Sequence, residues 1–179
     1  MPARLQLISD EFGRAVLFRG LRIVASPDNQ PPFELDALTF EEDTNLLMSP
    51  GAELAPPPES ITELVSDIAA FNPLEQGSVV ARGKAPVRLL AIVHDIDKIP
   101  TWTEESVRNS MASLLEKTEA LGLESVALPM LGSVHGTLPP ARFAGLLRIA
   151  LEQFPPRRLK RMWIRAADEA ADAVLDEFR

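Results

Sequence analysis

The chain has 179 residues, a formal net charge of −8 and no cysteine. This length suits one domain with a substantial core, and the lack of cysteine excludes disulfides, thiolate metal ligands and a thiol nucleophile. The acidic balance argues against a protein that coats nucleic acid, which needs a basic face to displace counterions. There is no long apolar signal core at the start and no run near the roughly 20 apolar residues that cross a bilayer. The sequence therefore predicts a cytoplasmic protein with neither a nucleic-acid nor a membrane partner.

The amino-terminal part alternates short strand patterns with proline-rich loops. Strands are predicted over residues 5–8, 15–25 and 35–40, with a turn at 10–13 and a loop over 26–33. Residues 1–25 should add their strands to the same sheet as the rest of the chain. Residues 41–58 are acidic and then proline-rich, and we expect them to be exposed. Ser60 and Glu63 form a capping-box pattern, which predicts the start of a helix.

The carboxyl-terminal part alternates strands with amphipathic helices. Strands are predicted over residues 77–81, 87–93, 125–130 and 159–164, and helices after Thr103, over 141–154 and before Phe178. The nearly all-apolar strand 87–93 is typical of the middle of a covered sheet, whereas polar residues place 159–164 nearer an edge. This order predicts an α/β fold, namely a three-layer α/β/α sandwich with a mixed, mostly parallel central sheet, in a single domain over 1–179.

The loop between the third of these strands and the following helix is the strongest candidate for a binding site. Backbone N–H groups at such a junction point outward, and the helix dipole adds partial positive charge, so anions and above all phosphate are stabilised there. His135 either hydrogen-bonds a phosphate oxygen or is an exposed loop histidine, and the sequence leaves both open. The candidate ligand-binding residues of this loop are Gly132, Ser133, Val134, His135 and Gly136.

Other polar groups have a structural and a functional interpretation. His94 ends an apolar strand, where it serves as an acid or base or, as we favour, binds a nearby backbone carbonyl. Neighbouring strand residues point to opposite faces, so His94 and Asp95 do not predict a metal site. The run 41–43 (Glu-Glu-Asp) follows a predicted strand, so it should lie near the same end of the sheet as Gly132 if the strands are parallel. It is expected to be a solvated loop, although paired carboxylates also suit acid–base work or magnesium binding. No serine-hydrolase elbow or Walker motif is present.

Three segments together resemble the macro domain over about Ile23 to Phe178. These are the apolar strand 90–97 with its histidine, the glycine-started strand 77–83 and, best of all, the strand and proline of 125–133. The resemblance implies a fold that binds ADP-ribose and related nucleotides. No cofactor or metal is implied, and the sequence does not identify a protein partner.

The resemblance also implies roles for residues outside the 131–137 loop. Asp28 would contact adenine, and Asp43 stands where the family has an asparagine that contacts the distal ribose. The family's glycine-run phosphate loop corresponds to 48–52, with Ser49 and Gly51 as candidate contacts. Asp43 cannot donate a hydrogen bond, and Pro50 has no N–H. These departures predict binding of ADP-ribose or a related nucleotide without efficient catalysis.

Two alternatives to nucleotide binding stay open at this point. A degenerate macro-like domain could serve as a structural or protein-interaction module, with the acidic residues 41–43 as its contact surface. An enzyme that removes ADP-ribose, or a phosphate from it, is the other alternative.

Overall fold

The computed structural model describes residues 14–48 and 72–179. The strand predicted over 5–8, the helix predicted after Ser60, and the candidate residues Ser49 and Gly51 lie outside these residues. The strands are β1 Arg14–Phe18, β2 Leu21–Ser26, β3 Ala37–Asp43, β4 Val79–Arg82, β5 Val87–His94, β6 Ser125–Pro129 and β7 Arg161–Arg165. The helices are α1 Glu104–Leu121, α2 Pro140–Gln153 and α3 Asp168–Asp176.

These seven strands form one sheet in the order β1-β2-β7-β6-β3-β5-β4. The inner pairs β2–β7, β7–β6, β6–β3 and β3–β5 are parallel, whereas β1–β2 and β4–β5 are antiparallel. Parallel neighbours need crossover connections, which place helices on the faces of the sheet. The predicted α/β fold with a mixed, mostly parallel sheet is therefore confirmed.

Two strand positions differ from the prediction. β5 lies second from an edge rather than in the middle, because β4 adds an antiparallel strand outside it. β7 lies between β2 and β6 rather than near an edge. The polar residues that suggested an edge stand before β7 or at its first position, Arg161, and its centre, 162–164, is buried.

The predicted single strand 15–25 is a hairpin. β1 and β2 pair antiparallel on either side of a two-residue turn, with Phe18 opposite Leu21. Arg19 has φ 50° and Gly20 has φ 87°, and positive φ at both central residues matches the twist of a two-residue hairpin. Apolar residues continue on both sides of the turn, which is why the sequence pattern predicted one strand instead of a hairpin.

The main core lies between one face of the sheet and the three helices. Alternate strand residues such as Ile23, Leu89, Leu128 and Ile164 pack there against the buried faces of α1, α2 and α3. The side chains that alternate with them are buried on the opposite face: Val24, Leu90, Ile92, Ala127 and Trp163. Most strand side chains on both faces of the sheet are thus buried, whereas Phe40, on the same face as Leu90, is only partly buried. None of the helices in the described part of the chain is long and apolar enough to span a membrane.

The predicted boundaries of α1 are confirmed. Thr103 caps its first turn by accepting from the Ser106 N–H, and the Ser106 side chain accepts in return from the Thr103 N–H. Gly122 ends the helix in the left-handed conformation at φ 68°. This helix packs beside β5 and holds the start of the 131–137 loop in place through Val107.

Candidate functional site

The carboxyl ends of the parallel strands meet at one edge of the sheet, where open α/β sheets usually bind ligands. A cleft of about 290 Å³ lies at this edge. It is lined by Asp28, Phe40, Glu41, Met48, Pro129, Val134, His135 and Arg165. Of the residues proposed from the sequence, the fold therefore brings Asp28, Val134 and His135 together.

Two glycines determine the shape of the 131–137 loop. Gly132 has φ 81°, and a Cβ there would lie 2.9 Å from Val107 Cγ2. A Cβ on Gly136 would lie 2.4 Å from the Gly132 oxygen and 2.7 Å from the Trp102 ring. Both positions require glycine, one for its conformation and close packing and the other for close packing alone. The two glycines therefore allow the loop to fold tightly on itself.

Both hydrogen-bond donors of Ser133 bind backbone oxygens that flank the loop. Its N–H donates to the Met130 oxygen at 2.9 Å, and its hydroxyl donates to the Leu138 oxygen. Ser133 is not among the residues that line the cleft. The prediction that it contacts a ligand is therefore not supported by its position, because both of its donors already close the turn.

A buried carboxylate lies beneath the loop. Glu41, on β3, is 4 % exposed. Its Oε2 accepts from the Gly132 N–H at 2.8 Å, and its Oε1 accepts from the His135 N–H at 3.3 Å. These are two of the amides that the sequence analysis assigned to phosphate. The prediction for Gly132 needs correction, since an internal anion already holds its N–H.

His94 fixes the Glu41 carboxylate from the other side. His94 is 1 % exposed, and its Nε2 donates to Glu41 Oε1 at 2.6 Å, since a carboxylate can only accept. Its Nδ1 shares a hydrogen bond with Thr101 Oγ1 at 3.0 Å. The expected backbone-carbonyl partner is wrong: both ring nitrogens bind side chains. The His135 ring packs edge-to-face on His94, with centroids 6.2 Å apart.

The acidic run 41–43 is buried rather than solvated. The Asp43 carboxylate is inaccessible and accepts from the Asn45 N–H at 2.7 Å and the Leu47 N–H at 2.9 Å. Glu42 accepts from the Met48 N–H at 2.6 Å. Asp43 therefore caps the turn that follows β3, and the prediction that it faces a ribose is wrong. Residues 41–43 likewise cannot form the exposed contact surface considered for a protein partner.

Arg165 is a cleft residue that the sequence analysis missed. Its Nη2 donates to the Thr39 oxygen at 2.7 Å, and its guanidinium lies 5.6 Å from the Phe40 ring centroid. Its Nε is 3.8 Å from the Asp28 carboxylate. Burial lowers the pKa of Arg165, and Asp28 partly offsets this effect. Arg165 thus places a positive charge in the cleft wall, and its contacts with Thr39, Phe40 and Asp28 fix the position of that charge.

Two backbone N–H groups of the 131–137 loop are available to a ligand. Within the described residues, the N–H groups of Val134 and Gly136 donate no hydrogen bond. Val134 is half exposed and lines the cleft. Residues 14–48 and 72–179 contain no group of three or more acidic or histidine side chains suited to a metal ion. The cleft therefore offers one arginine, one exposed aspartate, a histidine and the Val134 N–H, and the free Gly136 N–H lies next to His135 in the same loop.

Comparison with known proteins identifies the fold. No family model and no curated protein match the sequence. A variant of the Oceanobacillus iheyensis macrodomain matches with TM-score 0.65 and 13 % identity, covering 98 % of this chain and 96 % of that one. A second variant of that macrodomain, with ADP-ribose, matches with TM-score 0.63 and 14 % identity over 97 % and 96 % of the two chains. The Trypanosoma brucei macrodomain in complex with ADP matches with TM-score 0.59 and 17 % identity over 87 % and 68 %. The chain has the macrodomain fold in a divergent form.

Proposed function

We propose that the cleft binds the nucleoside part of ADP-ribose or of a related nucleotide. The observation that carries this proposal is the wall formed by Asp28, Phe40 and Arg165 beside the free amides of the 131–137 loop. An apolar cleft with a few converging polar groups is typical of small-molecule sites. Two of the similar solved structures contain ADP-ribose or ADP.

The size and lining of the cleft suit a base better than a whole dinucleotide. Its volume of about 290 Å³ lies just below the range of roughly 300–1,000 Å³ that is typical of ligand pockets. Phe40, Met48 and Pro129 provide apolar walls for a planar ring. Asp28 is exposed at the mouth and can accept from an exocyclic amine. These features together support recognition of an amino-purine.

The phosphate part of such a ligand has few donors within the described residues. Arg165 provides one cation, and the N–H groups of Val134 and Gly136 provide two main-chain donors. A diphosphate would lie at the cleft mouth, where these groups neutralise its negative charge only in part. The proposal includes no hydrolytic step, because the side chain at the position of the family's ribose-contacting asparagine, Asp43, is buried and fully engaged.

Thermal unfolding with ADP-ribose, ADP and adenosine tests the proposal. At 100 times its Kd, a ligand adds roughly 2.7 kcal/mol to the free energy of unfolding. For a chain of this size that corresponds to a midpoint increase of about 5–11 °C. The Asp28→Ala variant should lose most of this increase. Asp172→Ala is the matched control, because Asp172 is also an exposed aspartate beside an arginine but lies on α3, away from the cleft.

A protein-interaction module that binds no nucleotide is the second candidate. The Glu41 carboxylate favours it, because it supplies internally the anion that this loop would otherwise take from a ligand. Its contact surface cannot be the buried run 41–43. No midpoint change with any of the three ligands at millimolar concentration would favour this candidate over nucleotide binding.

A further inference from the structure

We propose that Glu41 closes the 131–137 loop to phosphate groups and makes the cleft select nucleosides over their diphosphates. Glu41 is thereby a specificity-determining residue. The part of this inference that concerns nucleosides rests on the proposed function, whereas the exclusion of phosphate from the loop can be tested independently of it.

The Glu41 carboxylate binds the loop in the way that an anionic ligand would. Its two oxygens separately accept the N–H groups of Gly132 and His135. Turn amides that converge on one point form concave anion sites. The carboxylate comes from the underlying strand β3 and is buried, so an incoming phosphate would have to displace it from inside the protein.

The hydrogen bonds around Glu41 oppose such a displacement. His94 Nε2 holds Oε1 at 2.6 Å, and Thr101 holds the other ring nitrogen of His94. A carboxylate that leaves these partners would also leave a buried histidine nitrogen without an acceptor, which is costly. The arrangement therefore keeps Glu41 in one position beneath the loop.

The charge of Glu41 also acts on the two amides that remain free. Val134 and Gly136 each adjoin His135, whose N–H donates to Glu41 Oε1 at 3.3 Å, so a phosphate on the free amides lies close to the carboxylate. Repulsion between like charges is screened less near a buried group than in bulk water. Arg165, which also lies 3.8 Å from the Asp28 carboxylate, offsets this repulsion only in part. An uncharged nucleoside experiences none of it.

Isothermal titration calorimetry with inorganic pyrophosphate and with adenosine tests the inference. Glu41→Gln removes the charge and keeps an oxygen that can accept from Gly132, whereas Glu41→Ala also releases the two amides. We expect both variants to bind pyrophosphate about tenfold or more tightly than the unmodified protein, with the larger gain in Glu41→Ala. Because adenosine is uncharged, its affinity should gain less than that of pyrophosphate in both variants, although Glu41 also lines the cleft.

Asp36→Asn is the matched control for these variants. Asp36 also accepts two backbone N–H groups, those of Glu124 and Ser125. It lies at the opposite edge of the sheet, five residues before Glu41 and roughly 17 Å away along the strand direction. This variant loses the same charge, and its pyrophosphate affinity should not change.

A measurement on the unmodified protein covers the case in which a Glu41 variant fails to fold. On addition of pyrophosphate, the amide NMR signals of Gly132 and His135 should not move. Movement of both signals in the unmodified protein, or unchanged pyrophosphate affinity in a folded Glu41 variant, would overturn the inference. A gain for pyrophosphate with no binding of adenosine or ADP-ribose to any variant would instead support the role of Glu41 and refute the proposed nucleotide function.

Discussion

Replacement of Gly132 by alanine should destabilise the protein strongly. The residue has φ 81°, a conformation that costs an L-residue about 1–2 kcal/mol. The added Cβ would lie 2.9 Å from Val107 Cγ2 and 3.1 Å from Leu138 Cδ2, and overpacking of this kind costs about 1–3 kcal/mol. Together these effects lower the free energy of unfolding by about 2–5 kcal/mol, or the thermal midpoint by about 4–20 °C.

Two other glycines separate the contributions to this loss. Gly20 has φ 87°, and a Cβ added there would have no atom within 4 Å, so Gly20→Ala should cost only the conformational part, about 1–2 kcal/mol. Gly145 lies in α2, where an added Cβ would make only an ordinary van der Waals contact, 3.9 Å from Glu177 Oε2. Gly145→Ala should therefore stabilise the protein by about 0.5–1 kcal/mol. Urea unfolding followed by circular dichroism measures all three. A Gly132→Ala loss no larger than that of Gly20→Ala would refute the packing argument.

Three further predictions concern the cleft, the buried hydrogen bonds and the response to acid. Arg165→Lys should weaken ADP-ribose binding about tenfold, because lysine lacks the planar guanidinium. An equal affinity of the two proteins in calorimetry would show that Arg165 does not contribute to binding. His94→Ala should lower the free energy of unfolding by about 2–5 kcal/mol, because it leaves the Glu41 carboxylate buried with one donor fewer; a loss below about 1 kcal/mol in urea unfolding would contradict this. Backbone hydrogen bonds, first from the Arg157 N–H, lower the pKa of Glu119. Its contribution to stability is therefore complete above its ordinary pKa of about 4.3 and is lost as the pH falls through the lowered value. The midpoint of Glu119→Gln should fall less than that of the unmodified protein between about pH 6 and pH 3, and equal falls would contradict the assignment.

The elements that the sequence predicted well are those with strong local patterns. Helix α1 is delimited by a threonine cap and a left-handed glycine, and β5 and β6 by continuous apolar runs between polar residues. The β1–β2 hairpin was missed because apolar residues continue through both strands and only Gly20 marks the turn. The order of the strands depends on pairing between distant segments, which explains why the predicted positions of β5 and β7 were wrong.

The candidate site was predictable from the sequence only in part. The 131–137 loop is recognisable from its glycines and its place between a strand and a helix, and parallel strands put residues 41–43 near it. The hydrogen bond from the Gly132 N–H to Glu41, 91 residues earlier in the chain, depends on the tertiary fold and was not predicted. Acidic residues are rarely buried, which is why the sequence favoured a solvated run at 41–43. Arg165 was missed for a related reason, since its partner Thr39 is 126 residues away.

A crystal structure of the unmodified protein grown with ADP-ribose would show whether the cleft binds a nucleotide and whether Glu41 keeps its position. We expect density for the adenine ring beside Asp28 and Phe40, with the hydrogen bond from the Gly132 N–H to Glu41 intact. An empty cleft at millimolar ADP-ribose would contradict the proposed function. A diphosphate bound to the Gly132 N–H, with the Glu41 carboxylate displaced, would contradict the assigned role of Glu41.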